Sequence, residues 1–192
     1  IYPVAKKVGG NWVKDNFDWT KINAYGNGGA FGDHWENSYA VDGKTRLLHT
    51  GLDLRASAGT PVYAIHGGSV QNVANLGSDG YMMSVLYPIG GGNFATSTYH
   101  HVIPEVANGT QVIAGSRIAT VFNLFAKSHL HIQLRYGWSE VRNSSNFNYV
   151  TVGRLPESEM DTPKREGGAT GKLPAFPNYF INLEYDVEWV TQ

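Results

Sequence analysis

The 192-residue chain contains no cysteine, which excludes disulfides, thiolate metal sites and a cysteine nucleophile. Charge is also scarce: charged residues make up 16% of the chain, and 15 basic against 16 acidic side chains give a formal net charge of −1. Because nucleic-acid binders carry a strong basic field, we expect no nucleic-acid partner. No apolar run approaches the roughly 20 residues that a membrane helix needs, so we expect no integral membrane segment.

Glycine and aromatic residues are abundant, with 23 Gly and 11 Tyr, and the hydrophobic content is 42%. Short apolar runs alternate with Gly, Asn and Pro signals, and no segment has a long helical period. This pattern predicts a mainly β fold, a single domain built on an antiparallel sheet. The expected strands span residues 46–49, 52–54, 61–64, 68–74, 81–87, 94–101, 118–121 and 130–135.

The sequence divides into three parts by composition. Residues 1–45 are rich in Asn, Gly and aromatics and are expected to form an irregular extension packed on the core domain, which spans 46–153. Residues 154–192 are expected to form a charged loop and a C-terminal tail packed back on the core. The first residue is Ile1 instead of Met, from which we expect that an upstream segment, such as a signal or pro-segment, has been removed.

Two clusters in the predicted strands carry groups that bind metals. His49 and Asp53 lie four residues apart, with Gly51 between them to let the backbone bend. His129 and His131 lie two residues apart, so both project from the same face of a strand. Either fragment alone arises easily by chance, but together they supply two imidazoles and one carboxylate. That is a ligand set of catalytic zinc sites, which keep a fourth position open.

The order of the motifs leads to a family resemblance. Three signatures follow one another, with characteristic Gly-containing turns between them: His49-Thr50-Gly51-Leu52-Asp53, Tyr99-His100-His101-Val102 and His129-Leu130-His131-Ile132. In this order they resemble the lysostaphin-type (LytM-like) zinc metallopeptidases, which cleave peptide bonds in bacterial cell-wall peptidoglycan. The resemblance covers about residues 47–135.

The resemblance implies an antiparallel β-sheet groove with long loops around one Zn²⁺ ion. It implies that His49, Asp53 and His131 bind the zinc, and that His101 and His129 are catalytic histidines beside it. The implied activity is that of a zinc metalloendopeptidase acting on a peptide or peptidoglycan substrate through a zinc-activated water. The implied location is secreted, periplasmic or cell-wall associated.

Several other histidines and tyrosines near the motifs are not expected to belong to the site. His100 occupies a variable position of the second signature and is predicted to face outward from its strand. His66 and His34 have no motif partner and are predicted to lie at the surface or beside the site. Tyr39 and Tyr99 could assist the oxyanion, but packing roles are expected for both.

The loop before the last signature departs from the family, which usually has small residues there. Phe122, Leu124 and Phe125 are bulky and apolar. They could line the groove and restrict the substrate, or they could turn inward and fill the core, and the sequence leaves both alternatives open.

Two other functions are compatible with parts of the sequence pattern. A secreted zinc protease acting on Gly-rich proteins would use the same site residues, so the sequence does not separate it from a wall hydrolase. A non-catalytic peptidoglycan-binding relative is disfavoured, because such relatives have lost zinc ligands that this chain retains.

Overall fold

Thirteen β-strands form most of the regular structure in residues 2–15, 29, 47–91, 93–136, 154–156 and 179–181, the part of the chain that the computed structural model describes. In chain order they are β1 (Ala5–Val8), β2 (Asn11–Lys14), β3 (Leu47–His49), β4 (Leu52–Arg55), β5 (Pro61–Tyr63), β6 (Gly68–Asn75), β7 (Tyr81–Gly90), β8 (Asn93–Pro104), β9 (Gln111–Val112), β10 (Arg117–Val121), β11 (His129–Tyr136), β12 (Arg154–Pro156) and β13 (Tyr179–Ile181).

The main sheet has nine strands within these residues. Its backbone order is β13-β11-β8-β7-β6-β9, while β4 pairs with β11 and β10 pairs with both β5 and β8. Every one of these pairings is antiparallel. The predicted mainly β, antiparallel fold is therefore confirmed, and each strand expected from the sequence is present with small shifts at its ends.

Strand β11 shows why the sequence folds in this way. Its apolar residues alternate with polar ones, and Leu130 and Ile132 are fully buried in the hydrophobic core with Leu52 and Leu54 of the neighbouring β4. Burying one such side chain contributes roughly 1.5–3 kcal/mol to folding. The alternating polar residues, which include His129 and His131, project from the opposite face of the same strand.

The N-terminal segment is more regular than the sequence indicated. Strands β1 and β2 pair as an antiparallel hairpin inside the segment that was predicted to be irregular. A bridge between Val4 and Val62 and a hydrogen bond of 2.7 Å from the Tyr63 amide to the Pro3 carbonyl attach it to β5. Side-chain burial also holds it in place, since Tyr2 and Val4 lie in the core.

Two further segments differ from the sequence expectations. Arg154–Pro156, expected in a loop, pairs as β12 with β3, and strand β8 runs three residues beyond its expected end at 101, to Pro104. Strand β13 pairs with β11 at the end of the main sheet. The division into 1–45, 46–153 and 154–192 itself stays a prediction. No helix long and apolar enough for a membrane span occurs among the described residues.

Candidate metal centre

Three strands bring the two metal-binding motifs together. His49 ends β3, Asp53 lies in β4, and His131 of β11 is the direct cross-strand partner of Asp53. Gly51 makes this convergence possible because its α-carbon lies against the backbone of β11, where an added Cβ would collide with the carbonyl of Ile132. All three candidate ligands are buried.

The donor atoms of these residues converge on one point. His49 Nε2 lies 2.8 Å from His131 Nδ1 and 3.2 Å from Asp53 Oδ1, and His131 Nδ1 lies 3.0 Å from Asp53 Oδ1. Neighbouring ligands of a tetrahedral zinc ion are separated by about 3.3 Å, so the triangle is close to that size. Three buried lone-pair donors facing one another require a cation or shared protons between them. The group could therefore hold a metal ion.

The electrostatics of the triangle favour an ionised carboxylate. Burial alone would raise the pKa of Asp53, but the charge of His49 and hydrogen bonds from His129 and His131 hold that pKa well below its ordinary value. Burial lowers the pKa of His131 to about 4, opposed by its hydrogen bond to Asp53. A neutral imidazole and a charged carboxylate are the protonation states in which both bind metals.

His101 and His129 form a second pair beside the triangle. Their ring centroids are 4.7 Å apart, and His129 Nε2 lies 3.5 Å from Asp53 Oδ1. Burial and the nearby His129 lower the pKa of His101. Burial opposes the charge of His129 too, but its hydrogen bond to Asp53 and the carboxylate's charge leave its pKa raised. The two histidines thus have unlike proton affinities within one pocket.

His100 does not face outward, and that prediction is wrong. Its side chain is only 1% exposed, and its ring packs edge to face against His131 with centroids 4.8 Å apart. The reason is a β-bulge: the pairing of β7 with β8 shifts register here, and His101 has a φ of +57°. The bulge breaks the strict alternation of the strand, so consecutive histidines both reach the pocket.

The pocket at this site has a volume of about 560 Å³. It contains all five predicted site residues as well as His100. One rim is the loop before β11, which contributes Leu124, Phe125 and Lys127. An opening of this size in front of a metal-binding triangle can admit an extended peptide.

Two of the three bulky loop residues line the pocket, and the third does not. Phe125 is 87% exposed and stands at the rim, and half-buried Leu124 also lines the pocket. Phe122 packs over Gly80 instead, where an added Cβ would meet its ring. Of the two alternatives that the sequence left open, the structure therefore favours a place at the groove for Leu124 and Phe125.

The remaining candidates lie away from the pocket or outside the described residues. The Tyr99 hydroxyl is buried in the core, where it accepts a hydrogen bond from the Ile65 amide at 2.8 Å and one from Ser97 at 3.1 Å. His66 is half-buried with Nδ1 2.7 Å from the Gly67 carbonyl. His34 and Tyr39 lie outside the described residues.

Sequence reasoning missed the groups that orient the histidines. The backbone carbonyls of Asp79 and Lys127 accept hydrogen bonds from Nδ1 of His101 (3.0 Å) and His129 (2.7 Å). Thr50, the neighbour of His49 in the chain, donates a hydrogen bond of 2.6 Å to Gln133 Oε1, and both side chains are fully buried. Position 133 follows His131 by two residues, a spacing that could have marked it as facing the same side.

Comparison with known proteins identifies the family. Residues 47–144, about half of the chain, match the profile of "Peptidase family M23". An uncharacterized lipoprotein, YgeR of Escherichia coli strain K12, is 36% identical over 88 residues, which are 45% of this chain and 34% of that protein. The chain thus spans about a third of the length of this curated relative.

Solved structures were also found to be similar. A structure of LytU is 22% identical, with coverage of 77% of this chain and 88% of that chain and a TM-score of 0.49. The catalytic domain of the antimicrobial peptidase lysostaphin from Staphylococcus simulans is 22% identical, with coverage of 67% and 86% and a TM-score of 0.44.

The fold and the site together define a class: a β-sheet protein that brings two histidines and an aspartate together in a group that could hold a metal ion, with two further histidines beside it. The match over residues 47–144 makes the assignment specific, and the chain belongs to Peptidase family M23.

Proposed function

We propose that the protein is a zinc metalloendopeptidase that hydrolyses peptide bonds in bacterial cell-wall peptidoglycan. His49, Asp53 and His131 would hold the zinc ion, and His101 and His129 would transfer protons. The observation that carries this proposal is the convergence of His49 Nε2, Asp53 Oδ1 and His131 Nδ1 to within 2.8–3.2 Å of one another. Family membership supports the reaction class, and we propose a secreted or cell-envelope location.

The hydrogen bonds of the flanking histidines support their role. A backbone carbonyl can only accept, so Nδ1 of His101 and Nδ1 of His129 must each carry a hydrogen. In the neutral ring this leaves Nε2 unprotonated and able to accept a proton, whereas in the protonated ring, the form in which His129 donates to Asp53, Nε2 carries a proton that it can give up. We assign proton acceptance from the attacking water and proton donation to the leaving amine to this pair jointly.

Bound zinc would polarise the scissile carbonyl and lower the pKa of a water in its open position toward about 7. The protein's own residues would do the rest. The rim formed by Leu124 and Phe125 would hold the peptide over the ligand triangle, and Nε2 of His101 or His129 would lie within reach of the reacting atoms.

Metal content is the first test. Elemental analysis of the purified protein should find about one zinc per chain, since one triangle holds one ion. His49→Ala, Asp53→Ala and His131→Ala should each lose the zinc and the activity together, because two protein ligands make a poor site. A metal-free preparation that retains full peptidase activity would disprove the zinc mechanism.

A second test separates ligands from proton-transfer groups. His101→Ala and His129→Ala should retain zinc while turnover falls about 100- to 10,000-fold, the usual contribution of general acid–base catalysis. His66→Ala is the matched control, because His66 lies outside the pocket and should leave both quantities unchanged. Zinc loss in either of the first two variants would reassign that histidine as a ligand.

The substrate class is tested by turbidity. Loss of turbidity of isolated bacterial cell walls, absent in the Asp53→Ala variant, supports the wall substrate. Digestion of a Gly-rich protein such as elastin with no effect on walls would favour a secreted protease. Wall binding without cleavage by the zinc-loaded protein would favour a non-catalytic relative.

A further inference from the structure

A second cleft adjoins the metal pocket and has a different chemical character. Its volume is about 780 Å³, and Phe125 of the rim loop lines both spaces. One wall is the β1–β2 hairpin, and the other is the end of β4 together with the loop that follows it. The hairpin wall precedes the residues that match the family, 47–144, whereas the wall at the end of β4 and the rim loop lie within them.

The cleft has an excess of positive charge. Lys6, Lys7 and Arg55 line it against a single carboxylate, that of Asp15. Lys6 Nζ lies 3.1 Å from Asp15 Oδ1, and Lys7 Nζ lies 5.1 Å from the centroid of the Trp12 ring. Because the whole chain has a formal net charge of −1, this local excess of cations over an aromatic surface is a distinct feature that would attract an anionic group.

The cleft continues the line of the metal pocket. Asp53 and Arg55 are alternate residues of β4, so both side chains project from the same face about 7 Å apart along the strand. Arg55 is also the cross-strand partner of His129. An extended peptide held over the metal pocket also advances about 7 Å for every two residues. A side chain about two residues from the scissile bond would therefore reach the cationic cleft.

We propose that this cleft is a substrate subsite for a carboxylate, so that the enzyme prefers peptides with an acidic residue about two positions from the cleaved bond. Lys6 and Lys7 of the hairpin supply the attracting charge, Arg55 supplies a fork of donors suited to a carboxylate, and Trp12 packs against the apolar part of the ligand. The subsite rests on the proposed peptidase function for its position relative to the cut.

The test uses blocked hexaglycine peptides that carry one Glu, or in the matched twin one Gln, at each position in turn. Binding is measured by NMR titration of the full chain with a chelator present, so that no hydrolysis occurs. We expect the best Glu peptide to bind about 3- to 10-fold more tightly than its Gln twin. The preference should disappear in the Lys6→Gln/Lys7→Gln double variant and fall in Arg55→Gln.

Lys14→Gln is the matched control, because it removes the same charge from the same hairpin but Lys14 lies against Tyr63, outside the cleft. It should keep the Glu preference. Four results would each overturn the subsite. The Glu and Gln twins could bind equally, or neither could bind detectably. The Glu preference could be the same at every peptide position, or it could survive in the double variant.

Failure of the peptidase function would be seen separately. Loss of turbidity of isolated cell walls caused by the zinc-loaded protein, and absent in the Asp53→Ala variant, reports on the proposed reaction. Should that activity be absent while the position-dependent Glu preference persists, the cleft still binds a carboxylate and the proposed reaction is wrong. Should the activity be present without a Glu preference, the reaction stands and the subsite is wrong.

Discussion

The two faces of strand β11 are both buried, but they have opposite energetic roles. Leu130 and Ile132 on one face are fully enclosed by apolar side chains, so their burial stabilises the fold. His129 and His131 on the other face lie with a carboxylate, and removing such groups from water costs free energy unless they are paired. One strand thus carries both residues of the core that stabilises the protein and residues of a polar cluster that could hold a metal ion.

The largest expected difference between the faces is in the stability of the metal-free protein. Ile132→Ala should lower the free energy of unfolding by about 2–5 kcal/mol, because it leaves a cavity in a fully enclosed site. In the presence of a chelator, His131→Ala should lower the free energy of unfolding much less than Ile132→Ala does, because it also removes the unfavourable burial of an imidazole. Urea denaturation of both variants tests this, and equal losses would contradict the distinction between the faces.

Metal binding should reverse the role of the polar face. Zinc at about 100 times its dissociation constant should add about 2.7 kcal/mol to the stability of the wild type, because it binds only the folded triangle. The Asp53→Ala variant should show no such gain, whereas Ile132→Ala should gain as much as the wild type. Thermal unfolding with zinc and with a chelator measures this, and a gain in Asp53→Ala would place the metal elsewhere.

The rim of the polar face should affect specificity more than stability. Phe125 is 87% exposed, and its φ of +57° is unfavourable for a non-glycine residue. Phe125→Gly should therefore fold normally and accept a broader range of residues beside the scissile bond. The ratios of kcat/KM between preferred and disfavoured peptides should fall by the equivalent of about 1–3 kcal/mol. Phe125→Asn is the matched control, because Asn tolerates this φ but has no aromatic ring. If both variants keep the wild-type kcat/KM ratios over a peptide panel, the ring does not determine specificity.

The smallest effect concerns the hydroxyl of Tyr99, which is buried in the core. Burial raises the pKa of Tyr99 to about 12, opposed by its hydrogen bonds with Ser97 and Ile65. Below pH 10 the Tyr99→Phe substitution should lower the free energy of unfolding by about 0.5–1.5 kcal/mol, because the hydrogen bonds of the hydroxyl are lost. The folded-state pKa exceeds the unfolded value near 10, so the wild type loses stability as pH rises from 10 toward 12. Denaturation at pH 8 and pH 11 should show the advantage of the wild type shrinking, and a constant difference would contradict the shift.

The alternation of apolar residues was enough to predict most of the main sheet. It places Leu130 and Ile132 on one face and His129 and His131 on the other, and this is what the structure has. The same rule failed at His100, because a bulge in β8 cannot be inferred from the order of residue types: it depends on pairing with β7, a contact between separate strands.

The N-terminal hairpin was missed for a related reason. Residues 5–8 and 11–14 are mostly exposed, so they lack the apolar alternation that marks a half-buried strand. Their order comes from pairing with each other and from the attachment to β5. The cationic cleft could not be predicted either, since its charges come from segments some 50 residues apart in the chain.

The sequence by itself indicated the family, the β architecture and the residues that we propose as metal ligands, because residue type and local spacing decide which atoms can bind a metal and which face of a strand they occupy. Only the tertiary structure decided that His49 Nε2, Asp53 Oδ1 and His131 Nδ1 meet within 3.2 Å, that His100 joins them, and that a cationic cleft lies next to the rim. These are distances between strands far apart in the chain, and they are set by sheet register and core packing, not by local preference.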